Sequence, residues 1–241
     1  PKYKKQTYQK LISNLGSAPI NMTQADTFIR TVRLRTKGQI EPPILETLLT
    51  YNPEFLKSPA KELLRGFKST FRTKGHPKAK GVDFQIDYPK SWRAKEGKRP
   101  NVVKLFTSKN GRGLESVLLM VKNIPLPPGY KITERELDDF FSPQELRGMT
   151  PKGASFISAL PVVLDNQKGG MMVFDQTLQR IDQKVSIRSL HFITIYGNKM
   201  IFIQCMVATR TGNQNDLKKQ FRRLEPLFKL VANSFVIQSQ Y

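Results

Sequence analysis

The chain has 241 residues, 39% of them hydrophobic, with 40 Lys/Arg against 19 Asp/Glu for a formal charge of +21 at pH 7. That length allows one large domain or one ordinary domain with an extension, and no apolar run approaches the ~20 residues that a membrane-spanning helix needs. One cysteine and two histidines exclude an intrachain disulfide and leave a transition-metal centre short of ligands.

The positive surplus predicts long-range attraction to polyanions, whether nucleic acid, anionic lipid headgroups or an acidic protein. The alternative is a basicity that reflects the source's overall protein composition and serves solubility. The chain begins at Pro1 rather than Met, which predicts a trimmed or processed form, soluble as it stands.

Residues 1–75 read as helical and rich in Lys/Arg. Tyr8, Leu11, Ile12 and Leu15 fall at i, i+3, i+4 and i+7, one apolar stripe ending at Gly16. A second helix is predicted from Thr23, with Asp26 in a capping-box-like position and Ala25, Phe28, Ile29 and Val32 as its stripe. Pro42-Pro43 breaks the chain, and Ile44, Leu45, Leu48 and Leu49 predict a short helix after it. Ser58-Pro59 predicts one more helix start, with Leu63, Leu64, Phe67 and Phe71 as the buried side. The stretch is expected to pack on the rest of the chain, because these helices are too small for a core of their own.

Gly75–Gly81 is polar, punctuated by Gly and Pro, and predicts a linker over 76–81. Beyond it the period changes to two. Val82, Phe84, Ile86 and Tyr88 alternate with polar residues in a half-buried strand stopped by Pro89. Ser91-Trp92 and a charged loop, Arg93–Arg99, come next. Val102–Thr107 and Ser116–Val121 are the next strands, joined by the turn residues Lys109–Gly113. Thr133-Glu134-Arg135-Glu136 is a capping box for a helix with Leu137, Phe140 and Phe141 on its apolar side, and Ser142-Pro143-Gln144-Glu145 starts a further helical turn.

Four strands are then predicted: Ala154–Leu164, Met171–Ile181, Val185–Tyr196 and Lys199–Thr209, with turns at Asp165–Gly170 and Asp182–Lys184. An amphipathic helix, about Asp216 to Ser234, closes the chain through Leu217, Phe221, Leu224, Phe228 and Val231, and Pro226 is expected to kink it.

The hairpin Leu190–Val207 organises these elements. Gly197-Asn198 predicts a type II′ turn, so Tyr196 faces Lys199 and the register is set from there. One face then carries Ile195 with Met200, Ile193 with Phe202 and His191 with Gln204. The other carries Thr194 with Ile201, Phe192 with Ile203 and Leu190 with Cys205. Both faces are mostly apolar, so both require cover, because a sheet with one wet face alternates. The expected class is α+β: a three-layer α/β/α sandwich around a mainly antiparallel sheet of about seven strands, with an N-terminal helical extension. The domains expected are the extension at 1–75, the linker at 76–81 and the sandwich at 82–241.

That order of elements, with a strand ending in Tyr88-Pro89-Lys90-Ser91-Trp92 and a last helix running into Asn233-Ser234-Phe235, resembles the PsbP family. The group includes photosystem II extrinsic proteins, related bacterial proteins and the yeast Ran-binding Mog protein that shares the fold. The resemblance covers about residues 82–238. It implies an assembly factor, subunit stabiliser, adaptor or regulator, for most members are not enzymes and the family has no shared catalytic set. The basic extension at 1–75 departs from its pattern.

Candidate residues come from charge. Between Lys57 and Arg112 there are sixteen Lys/Arg and four Asp/Glu. Lys90, Arg93, Lys95, Lys98 and Arg99 cluster beside Trp92, where an aromatic among cations can stack on a base or sugar, or else anchor the loop in the core. Lys218, Lys219, Arg222, Arg223 and Lys229 fall on the last helix away from its apolar stripe. These residues form the expected partner-binding set, Lys229 excepted. Cys205 and His191 read as core residues, His191 hydrogen-bonded there, and His76 as solvated, with no companion carboxylate.

Glu134, Glu136, Asp138, Asp139 and Glu145 form an acidic cluster that either caps its helices and screens neighbouring cations, or holds a divalent cation or performs general-acid chemistry. No nucleophile elbow or phosphate loop occurs, so no catalytic residue, metal or cofactor is expected. The leading expectation is a non-enzymatic accessory or binding protein of the bacterial cell envelope, outside the cytoplasm, engaging an anionic protein, envelope polymer or membrane surface. The alternatives are a nucleic-acid-binding protein, which would favour the cytoplasm, and an envelope hydrolase using the acidic helix.

Overall fold

The computed structural model describes residues 53–180, 183–210 and 213–241. The helices expected before Pro53 lie outside the described residues. Within them the chain runs α1 (Pro53–Lys57), α2 (Ala60–Leu64), β1 (Lys68–Arg72), β2 (Phe84–Pro89), β3 (Arg93–Glu96), β4 (Val102–Thr107), β5 (Glu115–Asn123), α3 (Glu134–Phe140) and α4 (Pro143–Gly148). It continues as β6 (Ser155–Leu164), β7 (Gln167–Arg180), β8 (Gln183–Tyr196), β9 (Lys199–Thr209), α5 (Gln214–Asn233) and β10 (Val236–Ile237).

Seven strands form one antiparallel sheet in the order β3-β4-β5-β9-β8-β7-β6. The hairpin at its centre has the expected register, from Tyr196 opposite Lys199 to Leu190 opposite Cys205. Gly197 holds φ +56 while Asn198 does not go left-handed, the backbone a type II′ turn requires.

The two apolar faces of this hairpin receive different cover. Phe192, Ile201, Ile203 and Cys205 share a buried cluster with Leu217, Phe221, Leu224, Leu227, Phe228 and Val231 of α5. Ile193 and Ile195 on the other face pack with Phe141 and with Leu146 of α4. Each such large apolar side chain contributes about 1.5–3 kcal/mol on burial, so the two helical layers are held by the sheet they cover. The α+β sandwich expected from the hairpin is therefore the observed architecture. The first capping box forms as read, Thr133 accepting from the amide of Glu136, whose carboxylate accepts in return, while the second is an N-cap only: Ser142 accepts from the amide of Glu145, but its own amide donates to Asp139 O at 3.1 Å. α5 continues through Pro226, which stands on its exposed side.

Several local expectations are corrected. The helix from Ser58 ends at Leu64, and Phe71 lies in strand β1 instead. Gly66 at φ +79 turns the chain, and Lys68–Arg72 then alternates with only Ser69 and Phe71 half-buried, a pattern nearly without apolar contrast. The strand Phe84–Pro89 does not join the main sheet. It is the centre of a second, three-stranded sheet, β1-β2-β10, and its place among the seven is taken by β3, read from sequence as part of a charged loop. The 76–81 stretch is packed: Pro77–Ala79 forms a 3-10 turn and Ala79 is buried.

The turn at Asp165–Gly170 shrinks to Asp165-Asn166, at φ +46 and +61, a left-handed pair that Asp and Asn tolerate. Gly169 and Gly170 belong to β7, where a Cβ on Gly170 would stand 2.4 Å from Leu146 Cδ2. Glycine there admits the helix. Gln183 and Lys184, expected in a turn, already pair within β8.

Candidate functional site

The corner after β2 builds the site. The Trp92 amide donates to Pro89 O at 3.0 Å, and the ring is 5% exposed within the main core cluster. Of the two roles read for Trp92, the packing is that of the core anchor, with its side chain in the main core cluster. Ser91, beside it, donates from both its amide and its hydroxyl to the Glu62 carboxylate, each at 2.7 Å. Glu62 comes from α2 and is 3% exposed. Burial pushes its carboxyl up to about 7, against the opposing pull of the Ser91 hydrogen bonds.

A second buried carboxylate stands nearby. Glu115 opens β5 on the inward phase shared by Val117, Leu119 and Val121. Its Oε2 accepts from the Ser108 hydroxyl, and its Oε1 is 3.7 Å from the Arg223 guanidinium on α5. Gly113 makes room for this pair, since a Cβ there would stand 1.6 Å from Ser108 Oγ. Between the two carboxylates lies a cleft of about 110 Å³, walled by Phe55, Trp92 and Leu224 and bordered by Lys109 and Arg223.

The basic rim runs beside it. In the Ser108–Gly111 turn, Lys109 and Asn110 both take left-handed φ, 50° and 51°, and Gly111 then sits where a Cβ would meet Arg93 Cδ at 3.1 Å and Lys95 Cε at 3.6 Å. The turn thus packs against the cations of β3. Arg93, Lys95, Lys98, Arg99, Lys109 and Arg112 are exposed and Lys90 is half-buried. Among the described residues none of the seven lies within 4.0 Å of a carboxylate oxygen. Elsewhere Lys61, Lys68, Arg72, Lys104, Lys168 and Arg188 are all ion-paired.

Of the residues expected from sequence, the structure therefore brings Trp92 and Arg223 to one cleft and sets Arg93 and Lys95 at its side. Lys218, Lys219 and Arg222 are exposed on α5, and among the described residues no hydrogen bond or ion pair joins them to β3. Glu62, Ser91, Ser108 and Glu115 escaped the sequence reading. Glu115 had a signal, a carboxylate in phase with the buried positions of a strand.

The acidic cluster serves its own helices. Glu134, Glu136, Asp138, Asp139 and Glu145 are all exposed. Lys168 pairs with Glu134 at 2.9 Å and Asp138 at 2.7 Å, and Glu136 closes the capping box. None lines the cleft, and the positions they hold are those of residues that cap their helices and screen neighbouring cations. Among the described residues no group of three or more His, Cys, Asp and Glu could hold a metal, and no helix is long and apolar enough to cross a membrane.

His76 is a correction: its Nε2 lies 3.0 Å from Glu96 and its Nδ1 accepts from the Lys78 amide, so the residue read as solvated is held on both sides. His191 meets Phe174 edge-on at 4.8 Å, among the described residues no hydrogen bond reaches its ring, and burial pulls it down to about 4. Cys205 is fully buried and burial pushes its thiol up, as befits a core residue.

No family model matches the chain, and no curated protein sequence does. Among solved structures it is similar to the solution structure of cyanobacterial PsbP from Synechocystis sp. PCC 6803, at 16% identity and TM-score 0.43 over 70% of this chain and 92% of that one. It is also similar to the Saccharomyces cerevisiae Ran-binding protein Mog1p, at 10% identity and TM-score 0.42 over 70% and 95%. A third is LpqN, involved in cell envelope biogenesis of Mycobacterium tuberculosis, at 9% identity and TM-score 0.39 over 74% and 96%. The first two are the groups that the sequence pattern resembles. At these identities and TM-scores no partner or activity carries over.

Proposed function

We propose that the chain is a non-enzymatic accessory protein that engages an anionic partner through the rim of Lys90, Arg93, Lys95, Lys98 and Arg99, widened by Lys109 and Arg112. The single observation that carries this reading is clustering: seven cations gather on the edge strand β3 and the turns beside it, and among the described residues none of them lies within 4.0 Å of a carboxylate oxygen. Such cations gathered on one edge focus the field of a +21 chain and steer a polyanion toward it. Lys218, Lys219 and Arg222 extend the attraction to the outer face of α5. The partner proposed is an acidic protein, an envelope polymer or an anionic membrane surface, met outside the cytoplasm in a bacterial envelope, the setting that the sequence resemblance suggests. Nucleic acid remains a partner by charge alone, and the burial of Trp92 takes away the ring that would have stacked a base.

The test combines Arg93→Glu, Lys95→Glu, Lys98→Glu and Arg99→Glu in the full chain. Binding to phosphatidylglycerol vesicles, poly-glutamate and single-stranded DNA is measured at 50 and 200 mM salt. The expected result is saturable binding to vesicles or poly-glutamate at low salt and at least a tenfold loss in the variant. Binding to DNA alone, with a slope of about −0.7 in log K against log salt for each phosphate contact, would transfer the rim to the nucleic-acid reading. No binding to any of the three at 50 mM would overturn both.

A further inference from the structure

The strand that carries the rim, β3, is an outer strand of the seven-stranded sheet and is paired with β4 alone. The Gly97 amide donates to Val103 O at 3.4 Å, and Ser91 O accepts from the Asn110 amide at 3.0 Å. With Ala94 opposite Phe106 and Glu96 opposite Lys104, these two bonds fix the phase of the ladder. Arg93 and Lys95 turn their N–H and C=O groups toward β4, and Ala94 and Glu96 turn theirs outward. Among the described residues no hydrogen bond outside the ladder reaches the Ala94 or Glu96 backbone, and Arg93, Lys95 and Glu96 are exposed. The edge is open.

An open edge is a template for another strand, and its side chains decide which strand is accepted. Successive side chains point to opposite faces, so Arg93 and Lys95 share one face and Ala94 and Glu96 the other. Among the described residues Arg93 and Lys95 have no carboxylate oxygen within 4.0 Å. Glu96 is already engaged, by His76 at 3.0 Å and by Lys104. An incoming strand therefore meets unpaired positive charge on one face and neutralised charge on the other. A short cationic edge also repels a second copy of a +21 chain, so the residues that favour an acidic strand disfavour self-pairing. Lipid headgroups and phosphodiester chains meet the cations but lack the row of N–H and C=O groups that the outward backbone of β3 can pair with. A polypeptide has both at every non-proline residue.

Resting on the polyanion reading of the rim, we propose that its partner is an extended acidic segment of a protein that adds to β3 as a further strand. Its backbone bonds to Ala94 and Glu96, and its carboxylates, at every second residue, face Arg93 and Lys95. Lys98 and Arg99, exposed just past the strand, meet acidic residues beyond its end.

The full chain is titrated into fluorescein-labelled short peptides at 50 mM salt, with binding read by fluorescence anisotropy. One peptide alternates Thr and Glu, and a second has the same composition with its Glu residues in a single block. Two more carry the alternating sequence with methylated amide nitrogens, on the Thr residues in one and on the Glu residues in the other. A strand added to one edge directs only alternate amides toward it. One methylated peptide is therefore expected to bind at least about tenfold more weakly than the unmethylated one, while the other keeps its affinity. The alternating peptide should bind more tightly than the blocked one, by about threefold or more. Equal binding of the two methylated peptides, or of the alternating and blocked peptides, would overturn the inference. The rim reading survives that result if poly-glutamate or vesicle binding still falls in the charge-reversed variant, and both readings fall if the parent chain binds neither.

Discussion

Replacing Glu62 with Gln changes how stability depends on pH, and the structure sets both sign and size. In the unfolded chain Glu62 titrates near 4.5, and in the folded chain near 7. Between those values the folded state holds a proton that the unfolded state has lost, so rising pH favours unfolding. The full effect is about 3 kcal/mol, present as a penalty above pH 7 and absent below pH 4.5. His191 acts in the opposite sense. Burial takes it from 6.5 to about 4, so between those values the unfolded state holds the extra proton and rising pH favours folding, again by about 3 kcal/mol. From pH 4.5 to 6.5 the two effects offset one another and the parent chain is nearly flat.

Gln at position 62 keeps an oxygen to accept from the Ser91 amide and an amide group to donate to its hydroxyl, without a titrating proton. The variant's unfolding free energy should rise by about 3 kcal/mol between pH 4 and 6.5 as His191 loses its penalty, then level off. The difference between variant and parent should grow by a similar amount from pH 4.5 to 7.5. Urea unfolding at pH 4.5, 5.5, 6.5 and 7.5 in 150 mM salt measures it, and exposed carboxylates such as Glu96 and Glu136 contribute equally to both chains. A difference that stays constant within 1 kcal/mol across that range would refute the burial argument for Glu62.

Three further substitutions test the packing of the main sheet and of the C-terminal segment. Gly170→Ala places a methyl 2.4 Å from Leu146 Cδ2 and should cost about 1–3 kcal/mol in urea unfolding. Leu146→Ala in the same chain should recover part of that cost, so additivity of the two changes would count against the close approach. Asp165→Asn keeps a residue that tolerates φ +46 but removes the carboxylate that accepts from the Ile237 amide at 2.5 Å and the Tyr241 hydroxyl at 2.8 Å. A loss of about 1–2 kcal/mol should come with faster hydrogen exchange at the Ile237 amide, and unchanged exchange there would remove Asp165 from the C-terminal contact.

What could be read from sequence, and what could not, divides along a physical line. The central hairpin was legible because one glycine with φ +56 sets the register of every pair along both strands, and because apolar residues on both faces leave no other place than the middle of a layered domain. The Thr133 capping box and the Ser142 N-cap were legible because donor and acceptor sit three residues apart in the chain. β1 was not, since its alternation is polar and its pairing partner, β2, lies beyond a packed turn. The assignment of β2 to a second sheet was hidden for the same reason: strand identity is local, while sheet membership depends on which edges meet.

The cleft sits at the far end of that scale. Its carboxylates are 53 residues apart in sequence, on α2 and β5, and each is held by a serine from another turn. Nothing in the spacing of Glu62 and Ser91 announces a hydrogen bond, and charge counting across Lys57–Arg112 actively hides one, because four acidic residues among sixteen basic ones read as background. Phase does better than count. Glu115 falls in step with Val117, Leu119 and Val121, all facing the core, and a carboxylate cannot hold such a position without donors of its own. Ser108 supplies one donor, and Gly113, by lacking a Cβ, lets it come close. Arg223, 3.7 Å from the other oxygen, comes from α5, so the pairing that lets a carboxylate stand at this position is assembled from three distant parts of the chain.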